Sequence, residues 1–282
     1  MICKMKSEGY WNAVAREVEN NGKQLRKRNW LANYADFRAQ DMLLSLIDKY
    51  IKINENVDVL DVGCGAGKWS ILFAKKHFNV TGIDFSKQMI ELAKKNVTLN
   101  GLRNIKFYVM NVVNLYLPDG TFDLVNSVTV LQHILDDQKW KNAISEIIRV
   151  TRNQGYLVIY EMAPIFTFKK ELPYTRIRTM KEYVSLFKES GARLITWRGV
   201  NLSFPLTVFG LRKYSTSFNK IQVYYYTGGK IKINFLSFLS KLIAKSAKYV
   251  DYGLANTPWG LLAPSKIMLF QKVNYSCRSV AG

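Results

Sequence analysis

From residue 57 onward, short apolar runs alternate with segments whose apolar residues recur at helical spacing. The apolar runs predict strands at 57–62, 79–84, 104–109, 122–128, 155–161, 192–200 and 266–273. Ser86 is placed to cap one intervening helix, and Thr179 with Glu182 forms a capping-box pattern before another. Strands that alternate with helices predict an α/β fold, here a doubly wound, mostly parallel seven-strand sheet with helices on both faces.

The first predicted strand runs into the sequence VLDVGCGAGKWS (59–70), with glycines at Gly63, Gly65 and Gly67. Open α/β sheets bind ligands outside the carboxyl ends of their strands, so this loop lies at the expected site. Glycine there allows positive φ and a close approach of ligand to backbone. A dinucleotide fingerprint is Gly-x-Gly-x-x-Gly, but Trp69 stands near the position of its third glycine. The pattern is therefore a weak signal for a nicotinamide or flavin cofactor.

Several motifs in order resemble the class I S-adenosylmethionine-dependent methyltransferases. They are VLDVGCGAG, the GIDFS segment (82–86), the run 119–134 and the run 146–161, which is similar to the helix, turn and fifth strand of that family. The resemblance covers residues 57 to about 200. It implies a Rossmann-like fold that binds S-adenosyl-L-methionine and releases S-adenosyl-L-homocysteine.

The resemblance also implies roles for individual residues. The loop from Gly63 to Gly67 would lie against the methionine portion of the cofactor, Asp84 would accept hydrogen bonds from both ribose hydroxyls, and Phe85 would pack on adenine. Ser127 would lie beside the amino group, with its backbone carbonyl as the acceptor. The predicted cofactor-binding set is Asp61, Gly63, Cys64, Gly65, Gly67, Asp84, Phe85, Met89, Asn111, Val112 and Ser127.

The sequence departs from the family at Asn111, where an aspartate commonly accepts a hydrogen bond from the adenine amino group. An amide carbonyl can accept the same bond without the charge. Asn114 is a competing candidate for this contact, and an ordinary loop asparagine is the alternative for either residue.

His133 and Glu161 are the predicted catalytic residues. His133 follows the fourth strand and is the first candidate general base, because an imidazole can take a proton near neutral pH. Glu161 ends the fifth strand and is the second candidate. The alternatives stay open: methyl transfer can need only proximity and orientation, His133 can pack or cap locally, and Glu161 can form a structural salt bridge.

The net charge of +20 is unevenly distributed, since residues 162–282 carry 19 Lys and Arg against 4 Asp and Glu. This excess of positive charge predicts an anionic partner: nucleic acid, a phosphorylated small molecule or a membrane surface. The alternative is that the basic surface only aids solubility. The three cysteines are scattered and have no metal-ligand spacing, so we expect no metal and a reduced, intracellular protein. We expect neither a secretory signal nor a membrane span, and a cytoplasmic location that includes peripheral membrane contact.

Four regions are predicted: an N-terminal helical cover (1–50), the cofactor-binding core (51–200), a basic insertion on the acceptor side (201–265), and the last strand and tail (266–282). The cover includes aromatic and basic residues expected to fold over the cofactor, namely Tyr10, Trp11, Trp30, Tyr34 and Arg38. Within the insertion, 230–250 has the pattern of a basic amphipathic helix that either covers the core, contacts a membrane or lines an acceptor pocket. The run Tyr224, Tyr225 and Tyr226 could stack on bases or form a strand.

The sequence thus predicts a methyltransferase that acts on a small-molecule or lipid-linked, anionic acceptor. One alternative is an RNA methyltransferase that uses the basic C-terminal part. Another is a non-catalytic S-adenosylmethionine-binding or scaffolding protein. The oligomeric state and the methylated atom are left open.

Overall fold

The structure is a computed structural model that describes residues 7–20, 30–51, 56–165, 174–200, 263 and 265–273. The predicted insertion lies almost wholly outside these residues, and so do the amphipathic segment 230–250 and the three adjacent tyrosines. Their predicted roles stay predictions.

The described elements follow the predicted alternation from the first strand onward. They are α1 (Ser7–Asn20), α2 (Trp30–Tyr50), β1 (Asp58–Val62), α3 (Lys68–Lys75), β2 (Asn79–Asp84), α4 (Lys87–Leu99), β3 (Ile105–Val109), β4 (Phe122–Val128), a 3₁₀ turn (Leu131–His133), α5 (Asp137–Val150), β5 (Thr151–Met162), α6 (Met180–Glu189), β6 (Ala192–Val200) and β7 (Ser265–Lys272).

The seven strands form one sheet in the order β3-β2-β1-β4-β5-β7-β6. Neighbouring strands from β3 to β5 are parallel, whereas β7 is antiparallel to both β5 and β6. The predicted doubly wound, mostly parallel seven-strand sheet is therefore confirmed. The strand order reverses between β1 and β4, and ligands of open α/β sheets bind beside such a switch point, at the carboxyl ends of the strands.

Local sequence signals fix the helix starts. The Ser86 hydroxyl accepts from the backbone N–H of Met89 at the start of α4. Thr179 and Glu182 form the predicted capping box of α6. Each cap satisfies amide groups that have no partner inside the helix.

Two apolar layers enclose the sheet. One lies under α5 and α6, where α5 buries a stripe at helical spacing, made of Trp140, Ala143, Ile144, Ile147 and Ile148. The other lies under α2 and α3 and includes Leu43, Ile47, Phe73 and Phe78. Strands β1, β4 and β5 are buried on both faces, as expected for a sheet with helices on either side. Among the described residues, no helix is both long enough and apolar enough to cross a bilayer.

Candidate active site

The glycine loop makes the predicted tight turn after β1. Gly63 and Gly65 have φ of +63° and +52°, a region that side-chain-bearing residues rarely occupy. A Cβ at Gly63 would lie 2.3 Å from Cγ2 of Val130. A residue larger than glycine at position 63 would therefore clash with the Val130 side chain. A Cβ at Gly65 would meet no atom of the described residues within 4 Å. The loop is therefore closely packed at its start and, within the described part of the chain, has no close neighbour at Gly65.

Asp84 ends β2 directly beside this loop. Its Oδ2 accepts from the backbone N–H of Gly65 at 3.0 Å, and its Oδ1 accepts from the N–H of Ser86 at 2.9 Å. Burial raises the pKa of this carboxyl above its ordinary value, and the two N–H donors oppose that shift. A carboxylate has about four acceptor positions. Asp84 therefore keeps acceptor capacity for ligand hydroxyls while it fixes the loop.

Asp61 lies underneath the loop and is bound by protein groups. Its Oδ2 accepts from the Ser70 hydroxyl at 2.6 Å, and its Oδ1 accepts from Nδ2 of Asn126 at 2.8 Å. Burial raises its pKa to about 6. These contacts tie β1 to α3 and β4, so Asp61 supports the loop from below. Its direct contact with a cofactor stays a prediction.

Two buried polar atoms at the end of β4, Oγ of Ser127 and Oδ1 of Asn126, have no hydrogen-bond partner among the residues that the structure describes. Buried polar atoms are nearly always paired in folded proteins. The prediction for Ser127 concerns its backbone carbonyl, as acceptor for the amino group of the cofactor, and it stays a prediction.

The remaining predicted cofactor contacts differ in accessibility. Cys64, Met89 and Val112 are buried, and burial raises the pKa of the Cys64 thiol. Phe85 is half-buried. Asn111 is exposed, and its Oδ1 already accepts from the N–H of Val113 at 3.0 Å.

Asn114, the competing candidate, donates from Nδ2 to the Tyr116 hydroxyl at 3.1 Å. Its carbonyl oxygen and that of Asn111 can each take a further hydrogen bond. The adenine contact therefore stays a prediction for either residue.

His133 lies in the 3₁₀ turn after β4. Its Nδ1 is 2.8 Å from the backbone oxygen of Tyr174, and a carbonyl oxygen can only accept, so Nδ1 carries the proton of the neutral ring. The lone pair is therefore on Nε2, which lies 3.5 Å from the side-chain amide nitrogen of Gln132. Burial lowers the pKa of His133 from its ordinary value, so the ring is neutral at pH 7. The indole of Trp11 contacts the imidazole edge-to-face, with ring centroids 5.1 Å apart.

Glu161 is fully buried at the end of β5 and accepts three backbone N–H groups. Val130 and Leu131 donate to Oε1 at 2.8 and 2.7 Å, and Gln132 donates to Oε2 at 3.3 Å. Burial raises its pKa to about 8, opposed by these donors and by Arg178. Its proton-transfer role stays a prediction, and its geometry is that of an anchor for the turn.

Helix α1 connects the two sides of the site. Oδ1 of Asn12 accepts from the Ser86 hydroxyl at 2.7 Å, next to Asp84, and Trp11 contacts His133. The side chains of Tyr10, Trp30, Tyr34 and Arg38 lie outside the described part of the chain. In that part, no group of three potential ligands could hold a metal ion.

Sequence reasoning missed the residues that support the site. These are Asn12, Ser70, Asn126, Gln132, Tyr174 and Arg178. The polar pair Asn126 and Ser127 inside an otherwise apolar strand was the available signal, because a buried polar residue needs a partner. No sequence signal near Tyr174 predicted its role, because it contacts His133 through its backbone carbonyl.

Comparison with known proteins bears on this site. Residues 59–155, which include the glycine loop, Asp84, Ser127 and His133, match a family model described as a methyltransferase domain. This match covers 97 of the chain's 282 residues, and that segment is similar to a methyltransferase domain. A curated relative, the demethylmenaquinone methyltransferase of Listeria monocytogenes, is 32% identical to this chain over 112 residues, which are 39% of this chain and 46% of the relative. The chain thus spans about half the length of the curated relatives it matches.

Solved structures share the fold of the methyltransferase domain. A putative sarcosine dimethylglycine methyltransferase from Galdieria sulphuraria superimposes with a TM-score of 0.58 at 17% identity, over 84% of this chain and 86% of that one. The [4+2]-cyclase SpnF superimposes with a TM-score of 0.57 at 21% identity, over 84% and 82%. At these identities the likeness concerns the fold alone.

Proposed function

We propose that this protein transfers a methyl group from S-adenosylmethionine to a small-molecule or lipid-linked, anionic acceptor. The observation that carries the proposal is the arrangement of Gly65, Asp84 and Ser127 at the switch point of the sheet. There the loop at Gly65 and the Asp84 carboxylate, which has spare acceptor capacity, lie together, and β4 ends with a buried Ser127 hydroxyl that has no hydrogen-bond partner among the described residues.

These residues fit the cofactor. Asp84 would hold the ribose hydroxyls, the loop at Gly65 would lie along the methionine portion, and Ser127 would meet its polar end. When bound, the cofactor supplies an activated methyl group on a sulfonium. The chain's own contribution is then to orient the acceptor for in-line attack and to exclude water, which can account for much of a rate enhancement.

His133 is the proposed general base for an acceptor that must lose a proton. Its neutral ring has the lone pair on Nε2, since Nδ1 is committed to the carbonyl of Tyr174. Helix α1, which brings Trp11 against this ring, is the proposed cover of the acceptor side.

Two observations support the acceptor class. Curated relatives such as that of Listeria monocytogenes are named demethylmenaquinone methyltransferases, a name that favours a small-molecule, lipid-linked acceptor. Residues 162–282 carry +15 of the net charge of +20, which favours an anionic partner. RNA as the acceptor and a non-catalytic binding role are the alternatives. The fold is shared with a [4+2]-cyclase, so the assignment of methyl transfer depends on the labelling experiment and not on the fold.

Transfer of a radiolabelled methyl group is the test, with separate panels of quinols, phosphorylated small molecules, lipid extracts and RNA. Labelling in a small-molecule or lipid panel, lost in the His133→Ala variant, supports the proposal. Labelling of RNA alone overturns the acceptor class. Binding of S-adenosylhomocysteine without labelling in any panel favours the non-catalytic alternative.

A further inference from the structure

The turn that carries His133 is held at its amino end by Glu161. The N–H groups of Val130, Leu131 and Gln132 all point to this one carboxylate. The first amides of a helical turn have no partner within the turn, so a buried turn of this kind needs an external acceptor. Glu161 is fully buried and meets that need with both oxygens.

Arg178 binds the carbonyl end of the same turn. Its guanidinium donates to the carbonyl oxygens of Leu131 at 3.5 Å and Ile134 at 2.9 Å, and to Oδ1 of Asp137 at 3.0 Å. The residue is 2% exposed, and its guanidinium lies 4.2 Å from the ring centroid of Trp140. A planar guanidinium has five N–H donors in a fixed arrangement, which suits several acceptors at once.

A third set of contacts sets the direction of the imidazole. The carbonyl of Gln132 accepts from the N–H of Arg176 at 2.8 Å, which brings the chain after Tyr174 against the turn. The carbonyl of Tyr174 then accepts from Nδ1 of His133. The tautomer of His133 is thus fixed by the position of the turn relative to residues 174–178.

We propose that Glu161 and Arg178 are positioning residues that hold this turn from opposite ends and so keep Nδ1 of His133 as the protonated nitrogen and the lone pair on Nε2. This inference rests on the proposed function, because it matters to chemistry only if His133 takes a proton. It also assigns Glu161 a different role from direct proton transfer, since both of its oxygens are occupied by backbone amides.

The chain has two histidines, His77 and His133, so imidazole NMR can follow His133 alone. A His77→Asn background removes the other signal, and Asn tolerates the φ of +66° at that position. In this background the ring of His133 is expected to be protonated at Nδ1, with a pKa below the ordinary value. Glu161→Ala should give a mixture of tautomers and move the pKa of His133 toward the ordinary value.

Glu161→Gln tests the role of the acceptor atoms. Its single carbonyl oxygen can still accept from Val130 and Leu131, so the His133 signals should stay close to those of the parent. Glu146→Ala is the matched control, because Glu146 also accepts a backbone N–H, that of Leu115 at 2.7 Å, in a different loop. The control should leave His133 unchanged.

A folded Glu161→Ala variant with the parent tautomer and pKa at His133 overturns the proposal. If that variant does not fold, Glu161→Asp, which keeps the carboxyl group but is one methylene too short, is judged by the same criterion. Arg178→Met should disturb the His133 signals, whereas Arg176→Met, which removes the exposed neighbouring guanidinium, should not. Equal effects of the two arginine variants would also count against the proposal.

Calorimetry with S-adenosylhomocysteine separates this inference from the proposed function. Parent protein that does not bind this probe contradicts the proposed function, while the NMR result still decides whether Glu161 and Arg178 orient His133. Unchanged affinity in Glu161→Ala shows that the cofactor site is intact.

Discussion

Replacing Asp84 with alanine should remove cofactor binding while the fold remains. In the structure the carboxylate already accepts from Gly65 and Ser86. We propose that its remaining acceptor positions bind the two ribose hydroxyls. A hydrogen bond to a charged group contributes about 1.5–3 kcal/mol. Loss of two such bonds therefore weakens binding by about 3–6 kcal/mol, or roughly 10²- to 10⁴-fold.

Isothermal titration calorimetry with S-adenosylhomocysteine measures this loss, and thermal unfolding checks that the variant is folded. Asp123→Ala is the matched control. Asp123 also accepts a backbone N–H, that of Asp58 at 2.9 Å, but it lies at the amino ends of the strands, away from the site. A folded Asp84→Ala variant whose affinity is within about threefold of the wild type, less than 1 kcal/mol, would refute the reasoning.

Three further predictions concern the base, the buried carboxyl and the basic insertion. His133→Ala should lower kcat by about 10²-fold or more with nearly unchanged cofactor affinity if His133 takes a proton; a rate that barely falls would leave positioning as the mechanism. Because burial raises the pKa of Glu161 from 4.5 to about 8, the folded state holds this proton more tightly than the unfolded state. The free energy of unfolding should then decrease as pH rises from about 4.5 to about 8, and Glu161→Gln should lack that component in denaturant titrations. Replacing Lys241, Lys245 and Lys248 with Gln should reduce binding to anionic vesicles by about 1 kcal/mol per charge if the insertion meets a membrane; unchanged vesicle binding together with steeply salt-dependent RNA binding would instead favour RNA.

The sequence alone determined the order of the elements from β1 onward and the tight glycine turn at the carboxyl end of β1. Apolar periodicity and caps are local, so Ser86 and the Thr179–Glu182 box could be assigned as helix starts before any contact was known. The glycines of the first loop were equally readable, because their positive φ is a property of the backbone at those positions.

Only the tertiary structure decided what the buried polar groups do. From sequence, His133 after β4 and Glu161 at the end of β5 were the first and second candidates for the catalytic base. The fold brings residue 161 against the amides of 130–132 and brings the carbonyl of Tyr174, 41 residues away in sequence, against His133. Such contacts depend on backbone groups that every residue carries. The pattern of side chains along the sequence therefore cannot predict them. Whether a residue acts as a base or positions one is decided only when distant segments pack together.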